Sequence, residues 1–391
     1  MSKISFGFFS AGLLDLLIGG IVFSFPYMAQ SIAAGTLGTV SNTAFAIIYV
    51  ATCLLLSKYK TFKDQRFLLA LGSILFAVGC LILYINISPA TLLLAPVIMA
   101  IGSATFYPAV QTWFTEGLDR PTTVKVMSGY SIAWVVGYLL GPPVVGFILS
   151  EQNFTGLLVA QRLDIILISF SIIGLLLGTS FLPDIFRKKT IQAERQPLKN
   201  SLQAADQSQI KTFLVIMWIA NFTSFFLTGM VRFMFTELAK AENIDTFIAG
   251  NVNVVMFLAV IALSLFLRKT KFWILKFRYL MIIQVLAIPA LLFFALQDSI
   301  LIYFLGSLIF GVISGFTFIS SSSYSLLIKE NAGKNININE AVVGMGGFLS
   351  GLVGYLVAGL FSVKTSFLPG VGLIVLAVIL EIMVFRKSRQ N

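Results

Sequence analysis

The chain has 391 residues, of which 58% are hydrophobic and 11% charged, with 37 phenylalanines, a balance that excludes a soluble domain of this length. Its formal charge of +11 would suit a nucleic-acid binder in a soluble protein, but the lysines and arginines gather in alternate loops. The charge therefore reads as membrane topology, and no nucleic-acid partner is expected. There is no histidine, and Cys53 and Cys80 fall inside apolar runs without CxxC spacing. Zinc and disulfide chemistry are unsupported, and neither a metal nor a cofactor is expected.

In chain order, apolar segments long enough to cross a bilayer are expected at 6–28, 38–57, 67–87, 90–113, 126–149, 163–183, 212–235, 247–267, 279–296, 300–326, 341–361 and 367–385. The runs do not alternate in polarity as barrel strands do, so the chain is expected to be an all-α integral membrane protein of about twelve transmembrane helices. Lys3 ahead of the first run looks like the start of a secretory signal. Asp15 interrupts that run and further spans follow, so it is read as a retained helix. Of 27 basic residues, 23 lie on one side, and only Arg162, Arg232, Lys240 and Lys364 fall elsewhere. That asymmetry predicts cytoplasmic termini, in a bacterial inner (plasma) membrane.

The first span contains GLLDLLIGG at 12–20, with a carboxylate near its midpoint. A central Asp opposes insertion by about 2.5 to 3.5 kcal/mol, and intramembrane carboxylates mark ion or proton pathways. Gly12 and Gly19, about one turn away, are expected to leave Asp15 room in a water-filled cavity. Burial favours a neutral carboxyl and a nearby cation favours a charged one, so a single such group can hold a proton or a cation by turns. Asp15 is expected to couple protons or contact substrate; the alternative is a structural Asp bonded to a neighbouring helix.

Polar residues recur at helical spacing in three other spans. The fourth carries Ser103, Tyr107 and Gln111; the seventh, Asn221, Ser224, Thr228 and Arg232; the tenth, Thr317, Ser320, Ser321 and Tyr324. Tyr107, Gln111, Asn221, Ser224, Thr228, Thr317 and Tyr324 are expected to line a cavity. The serines at 320–323 read first as a helix-packing face. For Arg162, Asp164, Arg232 and Glu237, an outer gate or anion contact is weighed against snorkelling at the interface. The third and ninth spans read as lipid-facing, and Glu381 of the twelfth as close enough to the interface to reach headgroups.

A polar stretch at 187–211 divides the chain into a first bundle at 1–186 and a second at 212–391. The halves resemble each other. SATFYPAVQTW at 103 pairs with GFTFISSSSYS at 315 at an offset of 212, and Gly137-Tyr138 pairs with Gly354-Tyr355 at 217. The five extra residues are assigned to KENAGKNININE at 329–340, read as a loop. Two six-helix bundles related by repetition are a transporter architecture with binding near the midplane.

With these features in place, the chain resembles the major facilitator superfamily over essentially its whole length. The fifth span, with Gly129, Gly137, Gly141, Pro142 and Gly146, is similar to the family's antiporter motif, though it departs in its first spacing and at Pro143. The loop motif after the second helix is degenerate. The resemblance implies two pseudo-symmetric six-helix bundles, with the first, fourth, seventh and tenth helices lining a cavity. It also implies alternating access, with proton-linked export of a small amphipathic or cationic compound. Proton-coupled uptake, a lipid or lysolipid translocase and a non-transporting sensor are the alternatives. No nucleotide loop, metal cluster or Ser/His/Asp set points to an enzyme. The expected partners are the small-molecule substrate, protons and the lipid bilayer, and the chain is expected as a monomer.

Overall fold

The computed structural model describes residues 2–34, 36–58, 64–150, 153, 156–183, 204–244, 246–297 and 299–390. Among them are twelve helices long and apolar enough to cross a membrane, and no strand. They are α1 (Lys3–Ser31), α2 (Thr36–Lys58), α3 (Gln65–Ile85), α4 (Pro89–Thr115), α5 (Arg120–Leu149), α6 (Val159–Ser180), α7 (Ala204–Ala241), α8 (Thr246–Lys269), α9 (Phe277–Leu296), α10 (Ile300–Leu327), α11 (Ala332–Leu360) and α12 (Leu368–Gln390). The proposed linker lies outside the described residues over 187–203, as do Lys60 and Lys63 of the loop after α2; α7 takes up the chain from Ala204.

Local chemistry sets the helix ends. Ser88 caps α4 reciprocally with Thr91, and Pro89 occupies the first turn, where its missing N–H leaves no bond unmade. α1 and α7 stop in the same way. The Ala34 amide returns to the Ala29 carbonyl and that of Ala33 to Gln30; the Ile244 amide returns to Ala239 and that of Asn243 to Lys240. These paired bonds form a Schellman motif whose turning residue is left-handed. Ala33 and Asn243, 210 positions apart, both have φ of 54°. Asparagine adopts that conformation readily, whereas alanine does so against steric resistance from its Cβ.

The helices form two compact units. The first comprises 1–117, 133–203 and 333–341, and the second 118–132, 204–332 and 342–391. Within the first, α3 packs on α4 and α6, α2 on α4, and α1 on α2, α4 and α6. In the second, the same pairs recur six helices later: α9 on α10 and α12, α8 on α10, and α7 on α8, α10 and α12. The repeat read from short sequence matches is thus a repeat of packing.

Three local expectations are corrected. The 329–340 stretch is not a loop, because α11 begins at Ala332 and buries Gly333, Ile336, Asn339 and Glu340 along one helical face. α3 is not simply lipid-facing, since Gly72 and Gly79 bring it against Gly102, Met99 and Ala95 of α4. Glu381 is fully buried and accepts a hydrogen bond from Gln284 of α9 at 2.8 Å, so it does not reach headgroups. A buried carboxyl requires such a partner, which only a neighbouring helix supplies there.

Candidate functional site

Asp15 lies near the middle of α1 and is 6% exposed. Its Oδ1 accepts a hydrogen bond from the Tyr107 hydroxyl of α4 at 2.6 Å, while Oδ2 is buried without a hydrogen-bond partner among the described residues. The space left by the flanking glycines is taken by α5. A Cβ at Gly12 would meet the Ala133 carbonyl, one at Gly19 the Tyr138 carbonyl, and one at Gly137 the carbonyl of Gly12 itself. Gly141 stands equally close to Leu16 and Gly20. α1 and α5 therefore meet backbone to backbone, as small residues permit.

A second carboxyl belongs to the same unit. Glu340, on the 333–341 stretch of α11, is 5% exposed. Its Oε1 accepts from Gln111 Nε2 at 2.6 Å and its Oε2 from the Tyr49 hydroxyl of α2 at 2.8 Å. Tyr107 and Gln111 stand four residues apart on α4, about one turn. One helix thus presents a donor to each acid. Among the described residues, no lysine or arginine comes within ion-pair distance of Asp15 or Glu340. Sequence reasoning missed Glu340 because it sat in the presumed loop. The signal that would have found it is the spacing of Gly333, Ile336 and Glu340, which matches one face of a helix.

In the second unit, the candidate residues are joined by hydroxyls rather than acids. Ser224 and Thr317 lie 2.7 Å apart, linking α7 and α10. Asn221 is fully buried, and buried Thr228 donates to the Phe225 carbonyl. The hydroxyls of Ser320, Ser323 and Ser325 are buried with no partner among the described residues. Tyr324 is tied to the α8–α9 connection, its hydroxyl accepting from the Leu275 amide at 2.8 Å, where Leu275 has φ of 55°. It anchors that left-handed turn.

Of the proposed gate residues, Arg162 and Asp164 belong to the first unit and Arg232 and Glu237 to the second. The Arg162 guanidinium is buried and donates to the Leu157 carbonyl at 3.0 and 2.7 Å and to the Leu149 carbonyl, closing the α5–α6 connection. Asp164 is half-buried on α6. In the second unit, Arg232 lies over the Phe233 ring and Glu237 pairs with Lys240 at 3.2 Å. Of the glycine-proline motif, Gly137 and Gly141 contact α1, and Pro142 approaches Gly19. A Cβ at Gly146 would meet open space, and Gly129 is buried in the second unit. A cavity of about 670 Å³ between the start of α5 and the end of α8 is lined by Lys125, Arg268, Lys269 and Lys271. It contains none of the candidate site residues.

Comparison with known proteins follows the same architecture. The family model described as Major Facilitator Superfamily matches residues 7–333. No curated protein sequence matches significantly. Among solved structures, the human organic anion transporter MFSD10 (TETRAN) superposes with a TM-score of 0.69 at 15% identity, covering 97% of this chain and 99% of that one. A bacterial homologue of the iron transporter ferroportin, in an outward-facing state, gives a TM-score of 0.71 at 13% identity over 100% of both chains. With its family match and its repeated six-helix packing, the chain belongs to the major facilitator superfamily of secondary transporters.

Proposed function

We propose that this transporter exchanges protons for a small amphipathic or cationic compound by alternating access, with Asp15 as the coupling carboxyl. The observation that carries the reading is the environment of Asp15: a mid-helix acid, buried, bonded through one oxygen to Tyr107, with the other unpartnered among the described residues. A carboxylate buried without a cation is strongly disfavoured, so the site favours either a proton or a cationic ligand. Competition between the two is sufficient for antiport: each ligand must leave before the other binds. Tyr107 orients the carboxyl through its hydroxyl.

The distribution of basic residues supports cytoplasmic termini, and export driven by inward proton movement rests on the likeness of the fifth span to the family's antiporter motif. One structural neighbour is an organic anion transporter and the other a homologue of an iron transporter, and likeness at 15% and 13% identity is one of fold. The cationic preference rests on Asp15 alone, buried with no ion-pair partner among the described residues. The test is proton movement into proteoliposomes, read with an interior pH dye across a compound library, comparing wild type with Asp15→Asn. A compound that drives flux only in wild type supports the reading and identifies the substrate class. Coupled flux retained by Asp15→Asn overturns it.

A further inference from the structure

Glu340 plays no part in the reading above, yet its surroundings are as demanding as those of Asp15. It sits on a stretch of α11 that packs with α2 and α4, and each of its oxygens meets one donor-bearing side chain. The polar groups around it are Tyr49 and Cys53 from α2 and Gln111 from α4, with Asp15 of α1 bonded to Tyr107, about one turn along α4 from Gln111. None of these is a cation. In the structure both oxygens accept, from Gln111 and from Tyr49; burial away from any cation favours the neutral acid, which can keep the bond from Gln111 and donate its own proton to the Tyr49 oxygen, a group able to accept as well as donate.

We propose that Glu340 is a second proton-binding carboxyl of this transporter, and that its proton governs whether the 333–341 stretch stays packed on α2 and α4. The inference rests on the proton-coupled reading for its physiological purpose, though not for its geometry. Binding a proton neutralises Glu340 and permits its burial between Tyr49 and Gln111. Releasing the proton to water leaves a carboxylate that gains by hydration and therefore favours separation of the stretch. Docking that holds a proton weakens as pH rises.

The protein contains its own reporter. Cys53 is fully buried in a cluster with Ala104 and Ala341, the residue next to Glu340. In a Cys80→Ser background it is the only thiol, since the chain has 2 cysteines. The experiment measures maleimide labelling of Cys53 in proteoliposomes across acidic to alkaline pH, with each rate divided by that of the unfolded protein at the same pH to remove the thiol's own titration. The expected normalised rate rises with pH, by up to about tenfold per pH unit within the transition. Glu340→Gln, neutral at every pH and able to keep both hydrogen bonds, should hold the rate low and flat. Glu340→Asp, a shorter acid, should restore a pH-dependent rise.

A wild-type rate independent of pH overturns the proposal, as does a Glu340→Gln profile like that of wild type. If Asp15→Asn flattens the profile while Glu340→Gln keeps it, Asp15 is the sensor and the Glu340 assignment fails, with the proton-coupled reading intact. If Glu340→Gln flattens the profile and Asp15→Asn retains coupled flux, the assignment of Glu340 stands and that of Asp15 falls.

Discussion

The packing of α3 on α4 and α6, of α2 on α4 and of α1 on α2, α4 and α6 recurs six helices later in the second unit, but the two units bury different chemistry. By the offset of the shared Ala33 and Asn243 corner, the counterpart of Asp15 is Phe225. By the offsets read between the fourth and tenth and the fifth and eleventh helices, Gln111 corresponds to Ser323 and Glu340 to Thr123. The first unit thus holds two acids with Tyr and Gln donors. The second holds an aromatic ring and small hydroxyls at matching places. Shared packing with divergent polarity teaches that the scaffold constrains helix contacts and leaves the buried charge free, so the proposed proton chemistry falls on one half and neutral hydrogen bonding on the other.

The sharpest way to break that comparison is to remove one member from each side. Asp15→Asn is expected to reduce coupled proton flux to background, because the ionisable group itself is lost. Ser224→Ala should lower it less than about fivefold, the loss of one neutral hydrogen bond of roughly 1 kcal/mol. Equal losses in the same liposome assay would dissolve the division of labour.

Helix crossing should show the opposite pattern, with both units equally sensitive. Gly137→Ala would press a methyl onto the Gly12 carbonyl, and Gly346→Ala would press one onto the Phe222 carbonyl of α7. Each should destabilise by about 1–3 kcal/mol, the usual penalty for overpacking, seen as a lower thermal midpoint in detergent. Gly146→Ala faces open space and should leave the midpoint unchanged.

Smaller effects separate the helix connections. Arg162→Met strips the donors from the Leu149 and Leu157 carbonyls and should destabilise by about 1–3 kcal/mol. Lys364→Met removes a partly exposed pair with Glu242, set at 2.7 Å, and should destabilise by about 1 kcal/mol or less. The smallest change is expected from Ser323→Ala, within about 0.5 kcal/mol of wild type, because its hydroxyl has no partner among the described residues. A transport defect in that variant at unchanged stability would mark Ser323 as a substrate contact and sharpen the role of the second unit.

Helix number and repetition were legible because hydropathy and glycine placement are local signals. Asp15 was legible for the same reason: a carboxylate in GLLDLLIGG contrasts with everything around it. Glu340 was hidden because GKNININE has the composition of a loop, rich in asparagine and β-branched residues with weak helix preference, and becomes helical where packing against the first unit outweighs propensity. Glu381 was misplaced for a related reason. Depth along a helix is readable from sequence, but which neighbour faces a side chain is not, and Gln284 lies 97 residues away in the chain. Arg162 posed the same problem, since main-chain carbonyls leave no residue-type signature.

The glycine contacts of α1 and α5 also have a mechanical meaning. Where side chains separate two helices, rotamer changes can absorb a small displacement as cushioning does; where backbone rests on backbone, nothing soft lies between. Gly12, Gly19 and Gly20 against Ala133, Gly137 and Gly141 make such a stiff joint. A shift of α1 at Asp15, even of a fraction of an ångström, therefore passes undamped into α5, whose two ends are shared out between the two units.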